Sequence, residues 1–307
     1  KREQEFHAPR WLRVPTRTDG ELQWLALASV FYGARHFGHE GMTRQWRPLI
    51  TRSCLFEHED PFSRLHISSS QFLEDINERG VCPECHKSRM YFCYTCLTAL
   101  TSIRDRIPHV QLPVQIAIVK HAGEVDGKTT AAHLPVLAPD HVKIYRFPSI
   151  PACDPSDVLL IFPGENAQPL EKLWETTVQN GHTTGPCVVC AKKHVSIPWK
   201  TLLFIDSTWK QTKRIYLDAK IKGLPCAVLE GGHSAFWRPQ RGKPSGWLAT
   251  AEAVHLAVTQ LLALQGCTGH VDDLLFFFKF FYAKISSRYR QASNAVPDPG
   301  MSAHPEK

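Results

Sequence analysis

The apolar positions divide the chain into two unlike halves. Before Pro113 they are scattered among charges and follow no sustained period. After it come short continuous runs at 114–119, 158–162, 202–205 and 227–229. These runs are β-rich and do not alternate with polar residues, the pattern of strands covered on both faces. Segments 169–179, 247–265 and 271–289 are candidate covering helices, and the last two carry apolar residues at helical spacing. Strands separated by helices predict an α/β fold with a mostly parallel sheet. In the first half only 70–79 reads as a helix: Ser70 offers a cap, Glu74 and Asp75 suit the first turn, and Gly80 ends it.

These elements suggest an organisation. Residues 1–59 read as a variable extension, disordered in expectation, and 60–110 as a helix with a four-cysteine module. Residues 111–290 form the α/β domain with a loop insert at 181–198, and 291–307 a Pro/Ser/Ala tail expected to be disordered. With 307 residues and 43% hydrophobic, the chain has enough apolar mass for a real core, which excludes a disordered tail or a disulfide mini-scaffold. No run of about 18 apolar residues exists, so no membrane span is expected. The segment 22–34 is too short and lacks a secretory cleavage site. The chain therefore reads as soluble and intracellular, where its ten cysteines are reduced thiols or metal ligands. Of the net charge of +7, residues 201–246 hold most, with eight Lys and Arg against three Asp and Glu. A polyanionic partner should meet that window.

Cys82-Pro-Glu-Cys85 and Cys93-Tyr-Thr-Cys96 have the spacing of two metal knuckles. Together they make a four-thiolate set with no open position, which fits structural rather than catalytic Zn2+. Four buried thiols without metal remain the alternative on spacing alone. Cys187-Val-Val-Cys190 followed by His194 lacks a fourth ligand, so ordinary loop cysteines are the favoured reading there. Cys54, Cys153, Cys226 and Cys267 are isolated and read as ordinary core or surface residues.

Ligands of parallel sheets bind where strands end. Run 114–119 leads to Lys120-His121 and a turn containing Lys128-Thr129-Thr130; run 158–162 leads to Pro163-Gly164. Run 202–205 leads to Asp206-Ser207-Thr208-Trp209. A carboxylate placed there is partly desolvated and suited to act as a base; a helix N-cap is the equal alternative for Asp206. Trp209 offers a stacking face, although lone tryptophans usually pack. Phe236-Trp237-Arg238-Pro239-Gln240-Arg241-Gly242-Lys243 interleaves rings and cations as RNA contact requires, against a plain solvated loop as the bland reading.

At these residues the chain resembles DTW-domain proteins. The D-x-T-W signature stands at Asp206–Trp209, a P-G loop at Pro163-Gly164, and Leu248-Ala249-Thr250-Ala251-Glu252-Ala253 is similar to the family's L-S-T-x-E-A stretch. The four-cysteine cluster and the Lys128-Thr129-Thr130 turn also fit, and the resemblance covers about 61–289. It is nearest to the first eukaryotic subfamily of tRNA-uridine aminocarboxypropyltransferases. The resemblance implies a SPOUT-like, knotted sheet and transfer of the 3-amino-3-carboxypropyl group of S-adenosylmethionine to N3 of a D-loop uridine of tRNA. The product would be acp3U, at tRNA position 20, with methylthioadenosine released.

On that reading Asp206 accepts the N3 proton, Thr208 orients it and Trp209 borders the uracil or adenine, with Ser207 completing the motif. An alternative makes Asp206 an electrostatic partner of the cofactor's ammonium or sulfonium. Pro163, Gly164, Leu248, Thr250 and Glu252 are expected to hold the cofactor, although Glu252 also suits a helix start. Lys128, Arg238, Arg241 and Lys243 are expected on phosphate. Ala249 stands where the family has Ser, so Thr250 is left to supply a hydroxyl. The rival functions are a SPOUT-type methyltransferase and a non-catalytic zinc-containing RNA-binding module. No membrane partner is expected. The resemblance favours the nucleus, with the cytoplasm as alternative.

Overall fold

The computed structural model describes residues 60–179, 183–237 and 247–294. The extension 1–59, the basic positions Arg238, Arg241 and Lys243, and residues 295–307 of the tail lie outside the described residues.

Two small hairpins open the described chain, β1 (Gly80–Val81) with β2 (Ser88–Arg89) and β3 (Phe92–Cys93) with β4 (Thr98–Ala99). Then follow β5 (Gln115–Lys120), α1 (His133–Leu137), β6 (Val142–Arg146), β7 (Val158–Ile161), β8 (Gln168–Pro169) and α2 (Leu170–Gln179). A third hairpin, β9 (Thr184–Pro186) with β10 (Lys193–Val195), precedes β11 (Thr201–Asp206), α3 (Trp209–Tyr216) and β12 (Cys226–Val228). Two long helices close the chain, α4 (Thr250–Leu264) and α5 (Phe276–Asn294).

Six strands form one sheet in the order β6-β5-β11-β7-β12-β8, and every neighbouring pair is parallel. The four expected strands occupy its centre. Alternate side chains serve opposite faces, as a two-residue period requires. Ile116, Ile118, Leu202 and Phe204 join the core under α4 and α5, while Ala117, Val119 and Leu203 join Ile215 and Ile221 on the other face. The edge strands β6 and β8 were not expected from the sequence. β6 reads Val-Lys-Ile-Tyr-Arg and buries only Val142 fully, so it has no continuous apolar run to betray it.

The cysteine hairpins share the larger core. Phe92 meets Phe277 at 4.8 Å between ring centroids, and Tyr91 meets Phe280 at 5.0 Å. Asp272 ties the amino-terminal segment down, accepting from the buried His255 ring at 2.8 Å and from the His66 N–H at 2.8 Å. The expected helix 70–79 shrinks to one 3-10 turn, Gln71–Leu73, because Leu73 is its only buried side chain and cannot offset helix nucleation. At the other end α5 runs to Asn294, four residues into the expected tail. Among the described residues no helix is long and apolar enough to cross a membrane.

A parallel sheet has two chemically distinct edges. At the amino edge, Lys200 and Thr201 donate backbone N–H groups to the Asp157 carbonyl (2.8 and 3.0 Å), and Lys200 Nζ pairs with the Asp157 carboxylate at 2.8 Å. The motifs singled out in the sequence lie at the opposite, carboxyl edge.

Candidate active site at the carboxyl edge of the sheet

Asp206 is the last residue of the central strand β11, with Lys120 as its Cα partner on β5. Both carboxylate oxygens accept hydroxyl hydrogen bonds. Thr129 Oγ1 donates to Oδ2 at 2.7 Å and Thr250 Oγ1 donates to Oδ1 at 2.7 Å. One threonine comes from the turn after β5, the other from the first residue of α4. The carboxylate therefore clasps two loops onto the end of β11. Burial pushes its pKa above the usual carboxylate range, with the two hydroxyls and Lys120 opposing that rise and Glu124 adding to it. A carboxylate offers about four lone-pair directions, so two hydroxyls leave room for a proton.

The Lys128-Thr129-Thr130 turn fits this site residue by residue. Thr129 Oγ1 also accepts the Ala131 N–H at 3.0 Å, which caps the 3-10 helix Thr130–Ala132. Thr130, buried, accepts the Ala251 N–H at 3.2 Å and so satisfies an orphan donor in the first turn of α4. Sequence reasoning noticed the turn but not that Thr129 reaches Asp206, 77 residues away.

Thr208 does not orient the carboxylate, contrary to expectation. It is the N-cap of α3: its hydroxyl donates to Gln211 Oε1 at 2.8 Å, and its N–H donates to Glu124 Oε1 at 3.2 Å. Capping so falls to Thr208, and Asp206 is not the N-cap. Ser207 bonds Thr212 at 2.8 Å, a local brace for the same turn. Trp209 begins α3, and its side chain lies outside the described residues.

Glu252 is likewise committed within the protein. It is buried, and its oxygens accept from the Ala249 N–H, the Ser234 hydroxyl and the Ala235 N–H, all at 2.7 Å. Burial raises its pKa and the three donors pull it back. The residue fastens segment 234–235 to the start of α4, and both of its oxygens accept hydrogen bonds within the protein. Gly164 is also explained by packing. A Cβ there would meet Tyr216 Oη at 2.6 Å, and its own N–H closes a turn onto the Phe162 carbonyl at 2.8 Å. Pro163 and Leu248 border the same edge, and Leu248 Cδ1 packs beside Gly232, whose φ of +94° favours glycine.

The strands β11, β7 and β12 are neighbours and end at this edge in turns made largely of backbone, at 207–208, 163–164 and 231–232. That is the setting in which a nucleoside is held by main-chain groups. Beside it are two cavities. One, of about 300 Å³, lies between the second cysteine hairpin and the 126–130 turn, with Arg79, Arg89, Tyr94, Lys128, Thr129 and Trp237 among its lining. The other, of about 230 Å³, is lined by Lys120, Asp126, Thr129, Arg146 and Tyr94. Asp206 lines neither directly and reaches both through Thr129.

Among largely aromatic and apolar walls stand several cations. Buried Lys120 pairs with Asp126, which Arg146 also approaches at 3.4 Å, and the Arg89 guanidinium stacks on Tyr94 at 4.1 Å. Sequence reasoning missed Lys120, Arg89 and Arg146 as site residues; only the position of Lys120 at a strand end pointed to one of them. The four sulfurs of Cys82, Cys85, Cys93 and Cys96 lie within 4.8 Å of one another, with Cys85 and Cys93 at 3.6 Å, a set that fits a tetrahedral metal ion.

Residues 90–286 match the DTW domain. The chain is 33% identical to tRNA-uridine aminocarboxypropyltransferase 1 of Xenopus tropicalis, over 79% of this chain and 97% of that protein. It is 33% identical to the Mus musculus protein of that name, over 78% and 88%, and 34% identical to the Homo sapiens one, over 75% and 85%. No solved structure matches it. With the D-S-T-W turn, the clasped Asp206 and the four-thiol cluster all inside or beside the matched region, the chain belongs to the DTW-domain family.

Proposed function

We propose that this chain is a tRNA-uridine aminocarboxypropyltransferase that forms acp3U on N3 of a D-loop uridine, at position 20. The observation that carries the reading is Asp206, a carboxylate of raised pKa held by two hydroxyls at the carboxyl end of a central parallel strand. The relatives' shared name supplies the reaction class. S-adenosylmethionine supplies a propyl carbon activated by its sulfonium, and its sulfur leaves as neutral methylthioadenosine, so the leaving group needs no acid.

The chain's part is to position and to move one proton. N3 of uracil is a poor nucleophile while protonated. Asp206 takes that proton as the N3–carbon bond forms and the carbon–sulfur bond breaks. Thr129 and Thr250 hold the carboxylate in one orientation, a contribution of proximity rather than of charge. Pro163, Leu248 and the backbone of the neighbouring turns would cradle the nucleoside of the donor. Arg79, Arg89 and Lys128 line the cavity against the cysteine hairpins and suit the phosphates of an unstacked loop. Arg238, Arg241 and Lys243 extend the same basic character in the sequence.

Zn2+ at Cys82, Cys85, Cys93 and Cys96 would act structurally, fixing the hairpins that wall this cavity. The family also implies a knotted, SPOUT-like path for the carboxyl-terminal part, and a nuclear location. The experiment is nucleoside mass spectrometry of an unmodified tRNA transcript incubated with the protein and S-adenosylmethionine. Aminocarboxypropyluridine with methylthioadenosine is the expected result; methyluridine with S-adenosylhomocysteine, or no product, would reject the assignment.

A further inference from the structure

Three Cys-x2-Cys turns occur in the chain, and their backbones are alike. The residue after each second cysteine is left-handed: His86 (φ 55°), Leu97 (φ 58°) and Ala191 (φ 58°). No other non-glycine residue among the described residues has a positive φ. In each turn that residue's N–H donates to the carbonyl of the first cysteine, at 3.0 Å to Cys82, 2.7 Å to Cys93 and 2.8 Å to Cys187. The first and third share one more bond, from Cys82 N–H to the Lys87 carbonyl (3.0 Å) and from Cys187 N–H to the Lys192 carbonyl (2.8 Å). A side chain in the left-handed region costs roughly 1–2 kcal/mol and persists where the surroundings demand it. Two of these turns already converge on the four-thiol cluster. The third repeats their geometry away from it.

Its missing ligands come from elsewhere. Cys267, in the turn beyond α4, brings its sulfur to 3.7 Å from that of Cys187, 80 residues away in sequence. The sulfurs of Cys187, Cys190 and Cys267 all lie within 4.8 Å of one another. His194, on β10, places Nε2 at 3.1 Å from Cys190 Sγ but falls outside the group of atoms all within 4.8 Å of one another, so its ring must turn toward Cys187 and Cys267 to complete a tetrahedron. A tetrahedral zinc with Zn–S near 2.3 Å has S···S edges of about 3.8 Å. A disulfide would need about 2.05 Å, and all three thiols are free. The Gly269 N–H points at Cys267 Sγ at 3.4 Å, as donors do around a thiolate, and a Cβ at Gly269 would strike Val189 Cγ1 at 2.6 Å.

We propose that Cys187, Cys190, His194 and Cys267 hold a second zinc ion. It differs from the expectation of ordinary loop cysteines there and of an isolated Cys267, and it stands whether or not the proposed transfer reaction is right. Three thiolates and one imidazole make a closed, structural site. It pins the β9–β10 hairpin to the carboxyl end of α4, the helix whose first residue holds Asp206. The Gln265 amide, donating to the Val195 carbonyl at 2.7 Å, bridges the same two elements.

Zinc content of the full chain, purified under reducing conditions, tests this by elemental mass spectrometry. Two zinc ions per chain are expected in the wild type, one fewer in Cys267→Ser and in His194→Ala, and one remaining in the Cys85→Ser/Cys96→Ser double variant. Zinc content unchanged by both Cys267→Ser and His194→Ala overturns the proposal. Should those variants fail to fold, zinc-edge X-ray absorption of the wild type decides. About seven sulfurs to one nitrogen, shared between two ions, supports the site, whereas sulfur ligation alone overturns it.

Discussion

Asp206 and Glu252 lie at the two sides of the same helix start, and both carboxyls are raised in pKa by burial. Their partners differ in kind. Two of the three donors to Glu252 are backbone N–H groups, which can only donate. Protonating Glu252 would set a new O–H against fixed donors. Both donors to Asp206 are threonine hydroxyls, which rotate and can accept as well as donate. Asp206 can gain a proton with both of its partners free to reorient, whereas of the Glu252 partners only the Ser234 hydroxyl can do so. Burial alone thus does not tell a candidate base from a strut, whereas the chemistry of the donors separates the two carboxyls.

The largest effect expected from this difference is on transfer. Asp206→Asn should lower the rate of aminocarboxypropyl transfer by about 10²–10⁴-fold, measured under single-turnover conditions, with only a small change in melting temperature. S-adenosylmethionine affinity in the same variant sharpens the result: retained binding supports the base, and lost binding supports a purely electrostatic role. The pH profile follows from the direction of the shift. A base must be ionised, so raising its pKa moves the acid limb of kcat upward, and activity should fall as pH drops through a value above the ordinary aspartate range. A limb within that ordinary range would break the comparison.

Glu252→Gln should act on stability instead. One side-chain oxygen becomes an amide N–H facing donors, at a cost of about 1–3 kcal/mol by denaturant unfolding, with transfer per folded molecule far less affected than in Asp206→Asn. Thr250→Val keeps the shape and removes one hydroxyl, so transfer should drop roughly tenfold, about the worth of one hydrogen bond to a charged group. The smallest effect is a gain. Ala249 is the N-cap of α4 and makes no side-chain cap. Ala249→Ser should raise stability by about 0.5–1 kcal/mol in thermal unfolding.

The four central strands were legible because burial on both faces leaves continuous apolar runs, as in Leu202–Phe204. β6 was not, because an edge strand with one exposed face mixes Lys143 and Arg146 among its apolar residues. The first cysteine cluster was legible because all four cysteines lie within fifteen consecutive residues. Cys187 and Cys267 approach only when α4 packs, and no local pattern announces that. The site divided in the same way. Asp206 follows a strand and could be picked out, whereas Thr129 and Thr250 are read as its partners only once β5, β11 and α4 are assembled. Thr208 adjoins Asp206 in the motif without touching it, because as a helix N-cap it turns its hydroxyl toward Gln211.

All six strands point the same way, so their two sets of connections lie at opposite rims of the sheet. The turns entering β7 and β11 are joined through Asp157 and the exposed Lys200, at the opposite rim from Asp206. A tag or graft at that rim is therefore expected to cost durability alone, since it leaves the Asp206 clasp untouched.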